Sequence, residues 1–324
     1  MNCVLRIGFL VGLSALIVLI VREGAGLILS ALSRAGIVLL WLLPLNAVTL
    51  WLDAAGWQCL IPDHPPLRSL FVIASIRQAI NRLLPVAGIG GELAGIRLLS
   101  ALGTSGTWAT ASITVEVLLT LISQYLFVAI GVLCLVQITG TLHLQNSVLL
   151  GLAISLPAIV LIMTGLRHGS IFERIERFAA RVLGPDVLAQ AVTVQAGQLD
   201  EAVRNLLQAP RRLTAAVAWQ LVSHLAGSLE NWLVMSWLRH PISPGAAIVL
   251  ESLTLAARNL IFLVPAGLGV QELSLIGLGR VLGLSSDLAI ALSFAKRGRE
   301  LLYGLPALLL WQWMEARRGL KDAS

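Results

Sequence analysis

A chain of 324 residues that is 57% hydrophobic and only 12% charged cannot cover a water-soluble globule, whose surface requires roughly a quarter of all residues to be charged. The net charge of +6 fits basic residues that flank membrane spans and hold the cytoplasmic side. No basic patch interleaves with aromatics, which excludes nucleic acid as the partner. Cys3, Cys59 and Cys134 lie far apart and the histidines show no ligand spacing, so no disulfide framework, metal site or cofactor is expected.

In chain order, Arg6 followed by the apolar run to Val21 reads as a retained first helix rather than a cleaved leader. The apolar windows are Val4–Val21, Ala35–Ala55, Leu67–Leu84, Thr107–Val136, Val148–Leu166, Leu213–Leu238, Ala246–Val264 and Asp287–Met314. Their lengths approach or exceed the roughly 20 residues that cross a hydrocarbon core. Two shorter, glycine-interrupted pieces, Val86–Gly103 and Ala266–Gly283, bring the expected span number to eight to ten, according to whether each completes a crossing. The fold class is therefore an all-α polytopic transmembrane bundle, one integral membrane domain over residues 1–324, placed in the inner (cytoplasmic) membrane. Trp41, Trp51, Trp57, Trp108, Trp311 and Trp313 stand mostly near span ends and read as an interfacial aromatic belt.

The long polar stretch Arg167–Arg212 reads as a cytoplasmic loop. Within it Ile171, Phe172, Ile175, Phe178, Ala179 and Val182 recur at helical spacing opposite Glu173, Arg174, Glu176, Arg177 and Arg181, an amphipathic segment suited to a membrane surface. This loop and the basic tail, Arg317, Arg318 and Lys321, both fall inside if the N-terminus is inside and each short piece crosses.

The two short pieces resemble each other. Pro85 is followed by Gly88, Gly90, Gly91, Glu92 and Leu93, and Pro265 by Gly267, Gly269, Glu272 and Leu273. Each glutamate stands seven residues after its proline, and a later arginine, Arg97 or Arg280, follows on the next short helix. Proline removes a backbone donor and crowds the preceding turn, and glycine accepts backbone angles closed to other residues. Together they predict helices that unwind and restart near Glu92 and Glu272, which is tolerated at membrane depth only inside protein or beside a wet cavity. One broken helix per half, in an inverted repeat, points to a transporter's binding site.

Charges inside apolar windows sharpen that reading. Glu116, Glu230, Glu251, Arg258, Lys296, Arg297, Arg299 and Glu300 must face the bundle interior and pair. The Lys296–Glu300 cluster reads either as a counter-charge site for an anion or for Glu92 and Glu272, or as an elbow between two shorter helices. Gln124, Glu230 and Asn231 are suited to hydrogen bonds between helices.

The segments Leu83 to Leu93, Val264 to Glu272 and Lys296 to Leu302 resemble the flippase-like transmembrane family that includes the membrane half of lysylphosphatidylglycerol synthases, most closely its hopanoid-biosynthesis-associated branch. The resemblance implies a helix bundle that moves, or helps to move, polar lipids between leaflets. It singles out Pro85, Gly91, Glu92, Pro265, Gly267, Gly269, Glu272 and Arg299. It implies a membrane lipid as substrate, no aminoacyl transfer chemistry and no catalytic residue. Three functions remain open at this level: a translocase, a membrane enzyme using Glu92 and Glu272 as acid and base, and a scaffold that gathers lipid-biosynthesis enzymes through the Arg167–Arg212 loop.

Cysteines introduced into Arg167–Arg212 and into the tail should both resist a membrane-impermeant thiol reagent in intact cells. Labelling of the loop but not the tail would instead make the two short pieces re-entrant.

Overall fold

The computed structural model describes residues 40–62, 64–84, 90–140, 163–166, 196–260 and 269–321. The Val4–Val21 window, most of Val148–Leu166, the amphipathic segment 171–182, and Pro85, Gly88, Pro265 and Gly267 lie outside them. All elements among the described residues are helical: α1 (Leu42–Gln58), α2 (Leu67–Leu83), α3 (Gly90–Ser100), α4 (Gly106–Thr139), α5 (Ala196–Leu207), α6 (Pro210–Trp237), α7 (Pro244–Leu260), α8 (Val270–Val281) and α9 (Ser286–Lys321).

Local chemistry sets several helix ends. The Ser105 hydroxyl accepts from the Trp108 N–H at the start of α4, satisfying one of the orphan donors of the first turn. Gly140 ends α4 with φ +63°, a left-handed cap. Pro210 and Pro244 stand at the first positions of α6 and α7, where a missing N–H costs nothing. The helix before the first motif ends at Leu83, where Leu84 turns extended, and the helix after the second begins at Val270; the described part of α3 starts at Gly90 and that of α7 runs to Leu260. Gly269, at φ +73°, leads the chain into the second restart.

The chain folds as two similar halves with α5 between them. In the first, α2, α3 and α4 have 17, 11 and 34 residues; in the second, α7, α8 and α9 have 17, 12 and 36. The packing between halves is reciprocal. Helix α2 lies on α9 as α7 lies on α4, and α1 meets α9 as α6 meets α4, while α1 and α6 pack on each other. An approximate two-fold relation between α1–α4 and α6–α9 accounts for every one of these pairs.

Burial is inverted relative to a water-soluble fold. Arg77, Glu116, Glu230, Asn231, Gln271 and Lys296 are buried, whereas Trp41, Leu133, Leu309 and Trp313 are exposed. Apolar surface on this scale is what lipid covers. One described helix, α4, is long and apolar enough to cross a membrane by length and composition, with a mean hydropathy of 2.3 over its best window. Helices α6 and α9, of 28 and 36 residues, also exceed the bilayer requirement in length but carry the buried charges.

Two sequence expectations are corrected here. Trp57 belongs to no interfacial belt: it is buried, its indole Nε1 donates to Ser112 Oγ at 3.3 Å, and the Arg77 guanidinium lies 4.9 Å from its ring centroid. Trp311 is likewise buried, in the cluster formed with α2, because α9 turns that face inward. And the end of the Arg167–Arg212 stretch is not loop: α5 seats Leu199, Val203, Leu206 and Leu207 against α4 and α6, and Arg211 and Arg212 begin α6.

The α4–α7 seam is closest at Gly131, where an added Cβ would fall 1.8 Å from Ser252 Oγ and 2.9 Å from Ser252 Cβ. Gly131→Val should therefore destabilise the bundle by about 1–3 kcal/mol, the usual cost of overpacking, read as earlier thermal unfolding in detergent; Gly131→Val with Ser252→Gly should recover part of it.

Candidate functional site

The first half ties its break together with one guanidinium. Arg77 of α2 pairs with Glu92 in the first turn of α3 and, at 2.6 Å, with Glu116 of α4. One turn further along α2, the Asn81 side chain accepts from the Gly91 N–H at 2.9 Å and donates to Glu92 at 3.2 Å. Asn81 thus acts as a cap from another helix, and Glu92 sits where the positive end of the α3 dipole favours a carboxylate. Gly91 is required for this approach, since a Cβ would lie 2.5 Å from the Arg77 backbone oxygen.

The second half uses the same plan with different groups. Arg258 of α7 donates to Gln271 of α8 at 2.8 Å, and Gln271 donates to Ser293 of α9 at 3.0 Å. Ser293 Oγ donates to Glu272 at 2.9 Å, and Arg297 approaches the same carboxylate at 3.4 Å. Lys296 pairs with Glu251 of α7, reaches Asn231 of α6 at 3.1 Å and lies 3.8 Å from Glu230. Arg299 pairs with Glu230 at 3.0 Å and with Asn46 of α1.

Glu300 joins the halves. Arg82, at the end of α2, and Arg258, near the end of α7, lie 3.8 and 3.7 Å from its carboxylate, with Arg297 at 3.2 Å. The helices that enter the two breaks therefore converge on one acid. Beside them opens a cavity of about 590 Å³, within the range of sites for small ligands. Arg77, Arg82, Glu92 and Glu116 line it from the first half, and Glu230, Glu251, Arg258 and Arg299 from the second.

Of the residues singled out in the sequence, Glu92 and Arg299 line the cavity, while Lys296, Arg297 and Glu300 stand behind it in ion pairs. Gly90 and Gly91 start α3, and Gly269 precedes α8. Arg97 is outside the lining and pairs instead with Glu315 of α9 at 3.4 Å. The expected pairing of both motif glutamates with the Lys296–Glu300 cluster holds for Glu272, through Arg297; Glu92 instead takes its partners from α2. The elbow reading of that cluster is replaced by a continuous α9. Gln124 bonds Asn259 at 2.8 Å, and Asn231 bonds Glu251 at 2.9 Å, both between helices.

Arg77, Arg82 and Asp53 were missed. All three are charges inside or beside apolar windows, the signal that found the others; Asp53 and Arg82 stand near window ends where flanking charge is ordinary, whereas Arg77 lies well inside Leu67–Leu84. No group of His, Cys, Asp and Glu among the described residues could hold a metal ion.

Arg77→Gln should leave Glu92 and Glu116 without their cation. Breaking such a buried pair costs about 3–5 kcal/mol, so the variant should be depleted from the membrane fraction and unfold earlier in detergent, whereas Arg97→Gln, at a half-exposed pair, should accumulate normally.

No curated protein and no solved structure matches the chain significantly. A family model described as the lysylphosphatidylglycerol synthase TM region matches residues 5–307, a span that includes both broken segments, all of the cavity lining and the Glu300 junction. The chain therefore belongs to the lysylphosphatidylglycerol synthase transmembrane-region family and is an all-helical membrane protein.

Proposed function

We propose that this protein is a non-enzymatic lipid translocase of the inner membrane, in which the cavity between the two broken halves receives a polar headgroup while the hydrocarbon part stays in lipid. The observation that carries the reading is the charged cavity itself, set between two helix breaks inside a bundle whose outer face is apolar. Charges at membrane depth are costly and mark substrate pathways, and membership of a family of lipid-handling membrane domains points the same way.

The ion pairs around the cavity are exchangeable. Arg82 is the most exposed of the four cations around Glu300, and its departure leaves Glu300 with Arg258, Arg297 and Arg299. A headgroup phosphate entering the cavity can take Arg82 without stranding a buried acid. Helix α3, with Glu92 and Gly91 at its start, then lies beside the path along which the headgroup passes the first break. A polar hopanoid is the substrate to try first, on the strength of the resemblance.

In reconstituted vesicles, Arg82→Gln and Glu92→Gln should accumulate and fold as the parent protein does. Each should slow movement of a labelled headgroup lipid by about tenfold or more, as expected for losing one hydrogen bond to a charged group, about 1.5–3 kcal/mol. Parental rates in both variants would remove the cavity from the transport path.

A further inference from the structure

Asp53, on α1, lines the cavity in a way that sets it apart from the other acids there. Glu92 and Glu116 share Arg77, Glu230 has Arg299, and Glu251 has Lys296. No cation comes within ion-pair distance of Asp53 among the described residues. Ser223 of α6 lines the same cavity and donates to the Thr49 carbonyl, one turn before Asp53 on α1. Ser223 lies midway along α6, 13 residues from Pro210, which is about 20 Å at 1.5 Å per residue. This places Asp53 beside the middle of a membrane-length helix, where a carboxylate without a counter-ion is disfavoured and neutralises instead.

Two features say what neutralises it. The cavity lining holds five carboxyls, Asp53, Glu92, Glu116, Glu230 and Glu251, against four guanidiniums, Arg77, Arg82, Arg258 and Arg299, and Asp53 is the carboxyl left without an ion pair. One turn before Ser223, Gln220 is 2% exposed; its Nε2 donates to Thr120 at 2.9 Å, and its Oε1, buried at the cavity wall, has no hydrogen-bond partner among the described residues. A buried acceptor with no donor calls for a donor from the cavity. The other charged or titratable groups facing Asp53 are Arg77 from α2, Glu116 from α4 and His224 from α6, the last turned to Ser123 at 3.3 Å; Arg299 from α9 is held by Asn46 and Glu230.

We propose that Asp53 is a proton-carrying site, protonated when the cavity is closed to water and releasing its proton to water from the carboxyl oxygen when the cavity opens, so that transport is linked to the proton gradient. The link to transport rests on the translocase reading; the proton on Asp53 does not.

Two measurements on the purified full chain in phosphatidylcholine vesicles separate the two. Infrared spectra in H2O and D2O should show a protonated-carboxyl carbonyl band that shifts on exchange and is missing in Asp53→Asn. With a trace of acyl-labelled phosphatidylglycerol as the moving lipid, the parent's rate should change when a pH difference is imposed across the vesicle wall. The Asp53→Asn rate, relative to its own rate without the gradient, should not change. A parent spectrum without the band overturns the proposal, including the case in which a lipid ammonium balances an ionised Asp53. A band with a gradient-insensitive parental rate overturns the coupling. Absence of any lipid movement removes the translocase reading and with it the coupling, and the band alone then decides whether Asp53 holds a proton.

Discussion

The arrangement of this bundle depends on the rule that a charge placed among hydrocarbon must find its counter-charge inside the protein. Every other choice follows from where those partners can be found. Arg77 reaches across from α2 to α3 and α4, and Lys296 from α9 to α6 and α7, so each pairing binds elements that a helix break would otherwise leave apart. Removing water makes these contacts stronger and also makes any unpaired member expensive. The ionic network is therefore the means by which the helices on either side of the two motifs are held together, and the cavity lies along its inner edge.

Much of this was legible in the residues. Low charge content and long apolar windows foretold an all-helical membrane domain, and the matched proline, glycine and glutamate spacings foretold a helix end before the first motif, at Leu83, and a helix start within the second, at Val270. Buried charges in mid-window positions, such as Glu116, Glu251 and Lys296, were identifiable because nothing but pairing explains them there. Positions near window ends were less readable. Trp57 and Trp311 look like interface anchors in one dimension, yet helix rotation turns both into the core. Arg77, inside the Leu67–Leu84 window, carried the same signal as Glu116, and its partners appear only when α3 and α4 fold back onto it. Partner choice is a three-dimensional property, which is why Glu92 was assigned to the distant α9 cluster instead of to its own half.

The relation between the halves adds a level that spacing alone only hinted at. Among the described residues their helices match in number and order, three of the four pairs also in length, and their cross-contacts are reciprocal. Such reciprocity brings the C-terminal ends of α2 and the described part of α7 to one place, and the meeting of Arg82 and Arg258 at Glu300 is its chemical expression. A headgroup at that junction would be handled by corresponding elements of both halves at once.

The likeness of the halves stops short of charge. Glu116 follows Pro85, and Lys296 follows Pro265, by the same 31 residues, so corresponding positions on α4 and α9 hold opposite signs. Were the halves alike, exchanging their conformations would return a structure of equal energy, facing the other way. Here that exchange would set an ammonium in the surroundings of a carboxylate and the reverse, and the two arrangements differ in energy. The pseudo-symmetry of the backbone is thus not carried into the ionic network, and the two halves are not interchangeable.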